Sequence, residues 1–182
     1  MANGSEIVGG LASSNLVLVW TDTALTGLEV IGDPFVFGTR QLGTNCGLIA
    51  KHAMAEFDGR TYWMGDSNFY VYSGQVQVLP STVKRYVFED FNFTNRRKVY
   101  CGVNSEFGEV TWLYPSADST ECDRYVTYSP SQNNHHTSLS LCPLSLAHPH
   151  TMPMLNNLIA QQECLALHLF KDTEHAQSLV PY

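Results

Sequence analysis

The chain has 182 residues, enough for one ordinary domain, with only 15% charged residues and 12% aromatics. A formal net charge of −7 argues against a general phosphate-binding surface, because such surfaces are basic. No apolar run approaches the ~20 residues that span a bilayer, and Met1–Gly10 lacks the basic and apolar segments of a secretory signal.

Residues 1–15 read as a lead-in without a clear pattern. Leu16–Trp20 is a short apolar strand, Thr21–Thr23 a turn, and Leu25–Ile31 a returning strand with Leu28 and Val30 on one face. Gly32–Asp33–Pro34 ends it, since Pro cannot donate to a ladder. Phe35–Gly47, with Gly38, Gly43 and Gly47, reads as a long connection. Ala53–Phe57, Arg60–Gly65 and Asn68–Ser73 then form a three-strand meander, and Asp58–Gly59 is its first hairpin turn.

Ser81–Phe91 is expected to be a helix capped by Ser81 or Thr82. It would bury Val83, Tyr86, Val87 and Phe91 at helical spacing and leave Lys84, Arg85, Glu89 and Asp90 wet. Asn95–Lys98 is a short turn. Val99–Asn104, Glu109–Tyr114 and Arg124–Ser129 repeat the meander, with Glu106–Phe107–Gly108 in the first turn. Trp63 and Trp112 occupy equivalent second strands, and Tyr70–Ser73 corresponds to Tyr125–Tyr128. The spacing of the two Trp matches the ~40–50-residue period of propeller blades. A blade cannot bury its apolar faces alone, so the three Trp, Trp20 included, are expected to be buried between face-to-face sheets.

After Asn133 the composition changes. All 13 glycines, all the arginines and all three Trp precede it. Ser131–Tyr182 holds ten Leu, six of the seven His and only four charged residues, Glu163, Lys171, Asp172 and Glu174. Ser131–Pro153, with Pro143, Pro149 and Pro153, is expected to be irregular and to lack a ladder partner. Met154–Lys171 is the one segment of this tail with a helical apolar face. Translation from another reading frame would explain the joint loss of Gly, Arg and Trp.

Candidate chemistry is sparse. Cys46, Cys101, Cys122, Cys142 and Cys164 are odd in number, widely spaced and without a CxxC pair, and they read as free thiols. His135–His136 with His148 and His150 match no common metal-ligand spacing. Asp22, Asp33, Asp66, Glu106 and Asp123 are candidate carboxylates for a glycosidase pair, yet all fall in turns, where such residues bond locally. Cys46 has His52 near it in sequence, the spacing of a candidate thiol–imidazole pair, although a packed loop thiol is the plainer reading. Arg96–Arg97–Lys98, with Lys84 and Arg85, is the one basic concentration, read as a solvated helix face and turn in preference to a surface for weak nucleic-acid backbone contacts. No catalytic, cofactor-binding or metal site emerges.

The run Leu16–Tyr128 resembles the propeller-forming tail nozzle or tail-hub proteins of short-tailed bacteriophages, which are related to packaged-DNA stabilisation proteins. Leu18–Thr23, Gly43–Ile49, Asp58–Gly65, Phe69–Tyr72, Gly102–Ser116 and Asp123–Val126 carry the resemblance. It implies a mainly β chain: 16–130 as two to three blades of an incomplete propeller, a short helix between blades, and 131–182 as an atypical tail. It also implies a non-enzymatic virion protein without cofactors, made in the host cytoplasm. Its partners would be copies of itself in a ring and other tail or portal-adaptor proteins. DNA would pass without tight binding, and no membrane would be involved. A carbohydrate-binding adhesin and a propeller-type glycoside hydrolase are the alternatives. The adhesin would need an exposed row of Tyr or Trp, and the hydrolase two carboxylates converging in a pocket.

Overall fold

The computed structural model describes residues 4–13, 16–32, 37–81 and 83–130, together with the backbone of 139–143. All of them lie within Met1–Ser145, one compact unit. The fold is mainly β. Three four-stranded antiparallel sheets follow one another, each with its strands in chain order, as blade-like meanders. Sheet 1 comprises β1 (Ile7–Ala12), β2 (Val17–Thr21), β3 (Ala24–Val30) and β4 (Phe37–Thr44). Sheet 2 comprises β5 (Met54–Phe57), β6 (Arg60–Met64), β7 (Phe69–Tyr72) and β8 (Val76–Val78). Sheet 3 comprises β9 (Tyr100–Asn104), β10 (Glu109–Tyr114), β11 (Arg124–Tyr128) and β12 (Leu139–Pro143). The Asp58–Gly59 turn is a hairpin turn as expected, with both residues left-handed at φ 51° and 67°.

Each sheet carries a Trp in its second strand, and Trp20, Trp63 and Trp112 are all fully buried. Trp20 meets Trp63 edge-on at 5.5 Å, joining sheets 1 and 2. Phe69 lies 5.0 Å from Trp112, and Tyr62 5.5 Å from Tyr128, joining sheets 2 and 3. Successive residues of a strand point to opposite faces. Trp63 therefore faces sheet 1 while Tyr62 faces sheet 3. Sheet 2 is covered on both faces, which is why Thr61–Met64 and Phe69–Tyr72 are buried without alternation. In β2 the burial instead varies along the strand, with Leu18 and Trp20 fully buried and Val17 exposed. The first strands of sheets 2 and 3 converge. His52 and Tyr100 form a parallel bridge, and the Cys101 N–H donates to the His52 carbonyl at 2.7 Å.

Four strands depart from the sequence-based expectation. β1 lies in the stretch read as a lead-in, and its Gly9 sits opposite Trp20. A Cβ there would stand 3.1 Å from Leu48 and Met54, so this glycine admits the neighbouring sheet rather than breaking a strand. β4 occupies most of the supposed connection. Its Gly43 is packed against Cys46 and Val76, where a Cβ would lie 2.7 Å from the Cys46 sulfur. β8 has only three residues and was not anticipated. β12 corrects the expectation of an irregular Ser131–Pro153, since Leu139–Pro143 pairs antiparallel with β11. Pro143 ends that strand, where a missing N–H costs little. Met154–Lys171 lies outside the described residues.

The expected helix contracts to α1 (Lys84–Glu89), entered through Val83 without a side-chain cap. Val87 and Phe91 are buried, but Tyr86 is exposed, and Phe88 packs on Phe69 and Phe91 instead. With under two turns, the apolar stripe cannot extend round to Tyr86. A 3-10 helix, Phe93–Lys98, follows, capped by Asn92, whose Oδ1 accepts the N–H groups of Thr94 and Asn95.

Candidate functional site

A cleft of about 180 Å³ lies beside the Leu48–Lys51 link between sheets 1 and 2. Its polar lining is Glu6, Asp22, Lys51, Asp66, Arg96 and Arg97. Three carboxylates and three cations leave it close to neutral. Arg97 lies 3.7 Å from Glu6, and Arg96 lies 3.6 Å from Asp66. Both pairs are substantially exposed and longer than hydrogen-bond distance, so each is worth little.

Asp22 is engaged differently. Its Oδ1 accepts the Ser5 N–H at 2.8 Å, and its Oδ2 accepts the Ser5 hydroxyl at 2.7 Å. These bonds, the hydroxyl's first, hold the Asp22 carboxyl below its ordinary range. A general acid for glycoside hydrolysis needs the opposite shift. Asp123 repeats the arrangement in sheet 3, accepting the N–H and the hydroxyl of Ser116, both at 2.7 Å. Burial pushes Asp123 up, but the two Ser116 bonds outweigh it and the net shift is downward. Both aspartates are acceptors that tie a strand to an adjoining turn.

The five carboxylates singled out in the sequence do not form one group. Asp22 and Asp66 share the cleft. Glu106 follows Asn104, whose Oδ1 accepts the Glu106 and Phe107 N–H groups and shapes the β9–β10 turn. Asp33 lies outside the described residues. Glu6 and Lys51 belong to the cleft and were missed, because no local pattern links positions that meet only when two sheets stack.

Cys46 and His52 are also kept apart. Cys46 is buried below Trp63, whose Nε1–H donates to its carbonyl at 2.9 Å. Burial pushes the thiol up, whereas a nucleophile needs it lowered. His52 stacks on Tyr100 at 5.8 Å, and burial, then the Lys51 charge, hold its imidazole below the ordinary value. No hydrogen bond joins the two side chains.

The basic concentration is largely neutralised. Arg85 pairs with Glu89, Arg96 with Asp66, Arg97 with Glu6 and Lys98 with Glu121. Among the described residues no three His, Cys, Asp or Glu side chains group to hold a metal ion. His135, His136, His148 and His150 lie outside them. Among the described residues no helix is long and apolar enough to cross a membrane. No protein-family model matches the chain, and no curated protein matches it.

Proposed function

We propose that the chain is an assembly scaffold: stacked β-sheets whose work is steric and mechanical. More particularly, it is a virion protein of the tail nozzle or hub of a short-tailed bacteriophage, part of the channel through which the genome is retained and released. The observation that carries this reading is the threefold repetition of a four-stranded meander with a buried Trp in each second strand. That repetition coincides with the stretch whose residues resemble the tail-nozzle family. Rigid blades arranged as a ring of copies, seated on other tail or portal-adaptor proteins, would line such a channel. The paired state of Arg85, Arg96, Arg97 and Lys98 suits a surface past which DNA slides without being held.

The two alternatives draw less support. An adhesin needs an exposed row of Tyr or Trp, whereas all three Trp are buried and, among the described residues, the most exposed aromatics are Phe37, Tyr86, Phe93 and Phe107, on separate elements. A glycosidase needs one carboxyl raised in a pocket, whereas Asp22, in the charged cleft, is lowered. The test is localisation in particles. Antibody against the chain should label the tail end of purified virions, and particles made without the gene should lose packaged DNA. Virions that lack the chain altogether would sink the proposal.

A further inference from the structure

Arg96, Arg97 and Lys98 are consecutive, yet each pairs with a different sheet. Arg97 reaches Glu6, just before β1 of sheet 1. Arg96 reaches Asp66, in the β6–β7 turn of sheet 2. Lys98 pairs with Glu121, in the β10–β11 loop of sheet 3. The local backbone explains the divergence. These residues form the last turn of the 3-10 helix, closed by the Val99 N–H donating to the Arg96 carbonyl at 3.2 Å. Such a helix has three residues per turn, so successive side chains leave it about 120° apart.

The three carboxylates share one end of the stack. In an antiparallel meander the start of the first strand, the end of the second and the start of the third lie together. Glu6, Asp66 and Glu121 occupy those three positions in sheets 1, 2 and 3. Sheets 1 and 3 pack on opposite faces of sheet 2, so the turn reaches from one to the other past the end of the sheet between them. Among the described residues no ion pair joins the hairpin turns at the opposite end, such as Asp58–Gly59. The six side chains are between 42% and 81% exposed. Pairs so wet add little to global stability, but they act on the local opening of the turns they hold.

We infer that Arg96–Lys98 is a three-way ionic latch, a conformational device in which one short turn fastens the same end of all three sheets. The buried aromatic contacts hold the sheets together along their strands, and the latch holds their ends. Salt governs it, because the screening length falls from about 10 Å at 0.1 M to about 3 Å at 1 M. At low ionic strength the three ends are fixed. At high ionic strength they open while the sheets stay packed. The inference goes beyond the tail reading and does not depend on it.

Amide hydrogen exchange of the full chain at 0.1 M salt, read residue by residue by NMR, tests the one-to-one assignment. Each arm has a reporter amide in its own sheet: Asp22, which donates to the Glu6 carbonyl at 3.1 Å; Gly65, which donates to the Asn68 carbonyl at 2.9 Å; and Ser119, which donates to the Ser116 carbonyl at 3.0 Å. Arg97→Ala should speed exchange at Asp22 about two- to fivefold, Arg96→Ala at Gly65 and Lys98→Ala at Ser119, each leaving the other two unchanged. Raising salt to 1 M should speed all three in the wild type and leave Arg60, at the far end of sheet 2, as it was. Arg97→Glu should open the Asp22 arm further, and adding Glu6→Arg should restore it, which lost packing alone would not do. Each single alanine variant should keep its urea midpoint within about 0.5 M of wild type. Exchange that rises at all three reporters in any one of these variants overturns the inference, as does exchange that rises at none. A larger fall in midpoint, or a charge swap that fails to restore the Asp22 amide, overturns it too.

Discussion

Replacing Trp63 tests whether the stacked sheets behave as one cooperative body. The ring is fully buried, stacks on Tyr70 at 5.4 Å, meets Trp20 edge-on at 5.5 Å and donates its Nε1–H to the Cys46 carbonyl at 2.9 Å. Trp63→Ala forfeits the buried ring and leaves a cavity, about 3–5 kcal/mol for a large aromatic. The two aromatic contacts and the unpaired Cys46 carbonyl are in part included in that range and push the effect to its upper end. With a urea slope of about 2 kcal/mol per molar, the midpoint should fall by about 2 M, a large share of the stability of a chain this size. Trp63→Phe keeps the ring stacking but removes the indole hydrogen bond and part of the area, and should cost about half as much. Far-UV circular dichroism and intrinsic fluorescence from Trp20 and Trp112, followed through the same titration, should report one transition. A Trp63→Ala midpoint within about 0.5 M of wild type would refute the reasoning, because it would mean that sheets 1 and 2 are not held by this contact.

Three further outcomes follow from the geometry. The Asp123 carboxyl has a folded pKa below its unfolded value near 3.8, so its stabilisation is complete at neutral pH and is lost as pH falls through the folded pKa. Asp123→Asn should therefore lower the urea midpoint at pH 7, and the gap to wild type should narrow towards pH 3. Gly47→Ala should destabilise by more than about 3 kcal/mol in thermal or urea unfolding, because its Cβ would fall 1.9 Å from the Asp22 carbonyl oxygen, a backbone atom that cannot move aside. By contrast Gly59→Ala, with open space around it and only a left-handed φ to strain, should cost about 1 kcal/mol. A chain ending at Pro130 lacks β12, leaves the β11 ladder open, and should show a lower midpoint and a greater tendency to aggregate by light scattering.

The parts of the fold legible in the sequence are those where local chemistry decides. Asp58–Gly59 marks its hairpin because few residue pairs accept two left-handed positions. The three Trp mark the sheet interfaces because they are the bulkiest fully buried side chains among the described residues. What escaped is governed by contact between distant segments. Gly9 and Gly43 look like breakers until the side chains of Leu48, Met54, Cys46 and Val76 are seen to need that space. β12 carries prolines nearby and no strong strand signal of its own, yet β11 supplies a ladder for it. The charged cleft brings together residues from the lead-in, the β2–β3 turn, the Leu48–Lys51 link, the residues after β6 and the 3-10 helix, and no spacing rule joins such positions.

The two indole hydrogen bonds have a direction in time. Trp63 reaches back 17 residues to Cys46, and Trp112 reaches back 59 to Ala53. A ribosome releases the carbonyl of each pair before the ring that will satisfy it. Sheet 1 can close its hairpins as it emerges, since its pairings are local. It must then wait, with Trp20 uncovered, until β6 has been made. Sheet 2 waits in turn for β10. Nascent chains held at successive lengths should gain protease resistance in steps, one on release of Trp63 and another on release of Trp112. Between those lengths an uncovered aromatic face is open to the wrong neighbour, and slow translation there would prolong the hazard.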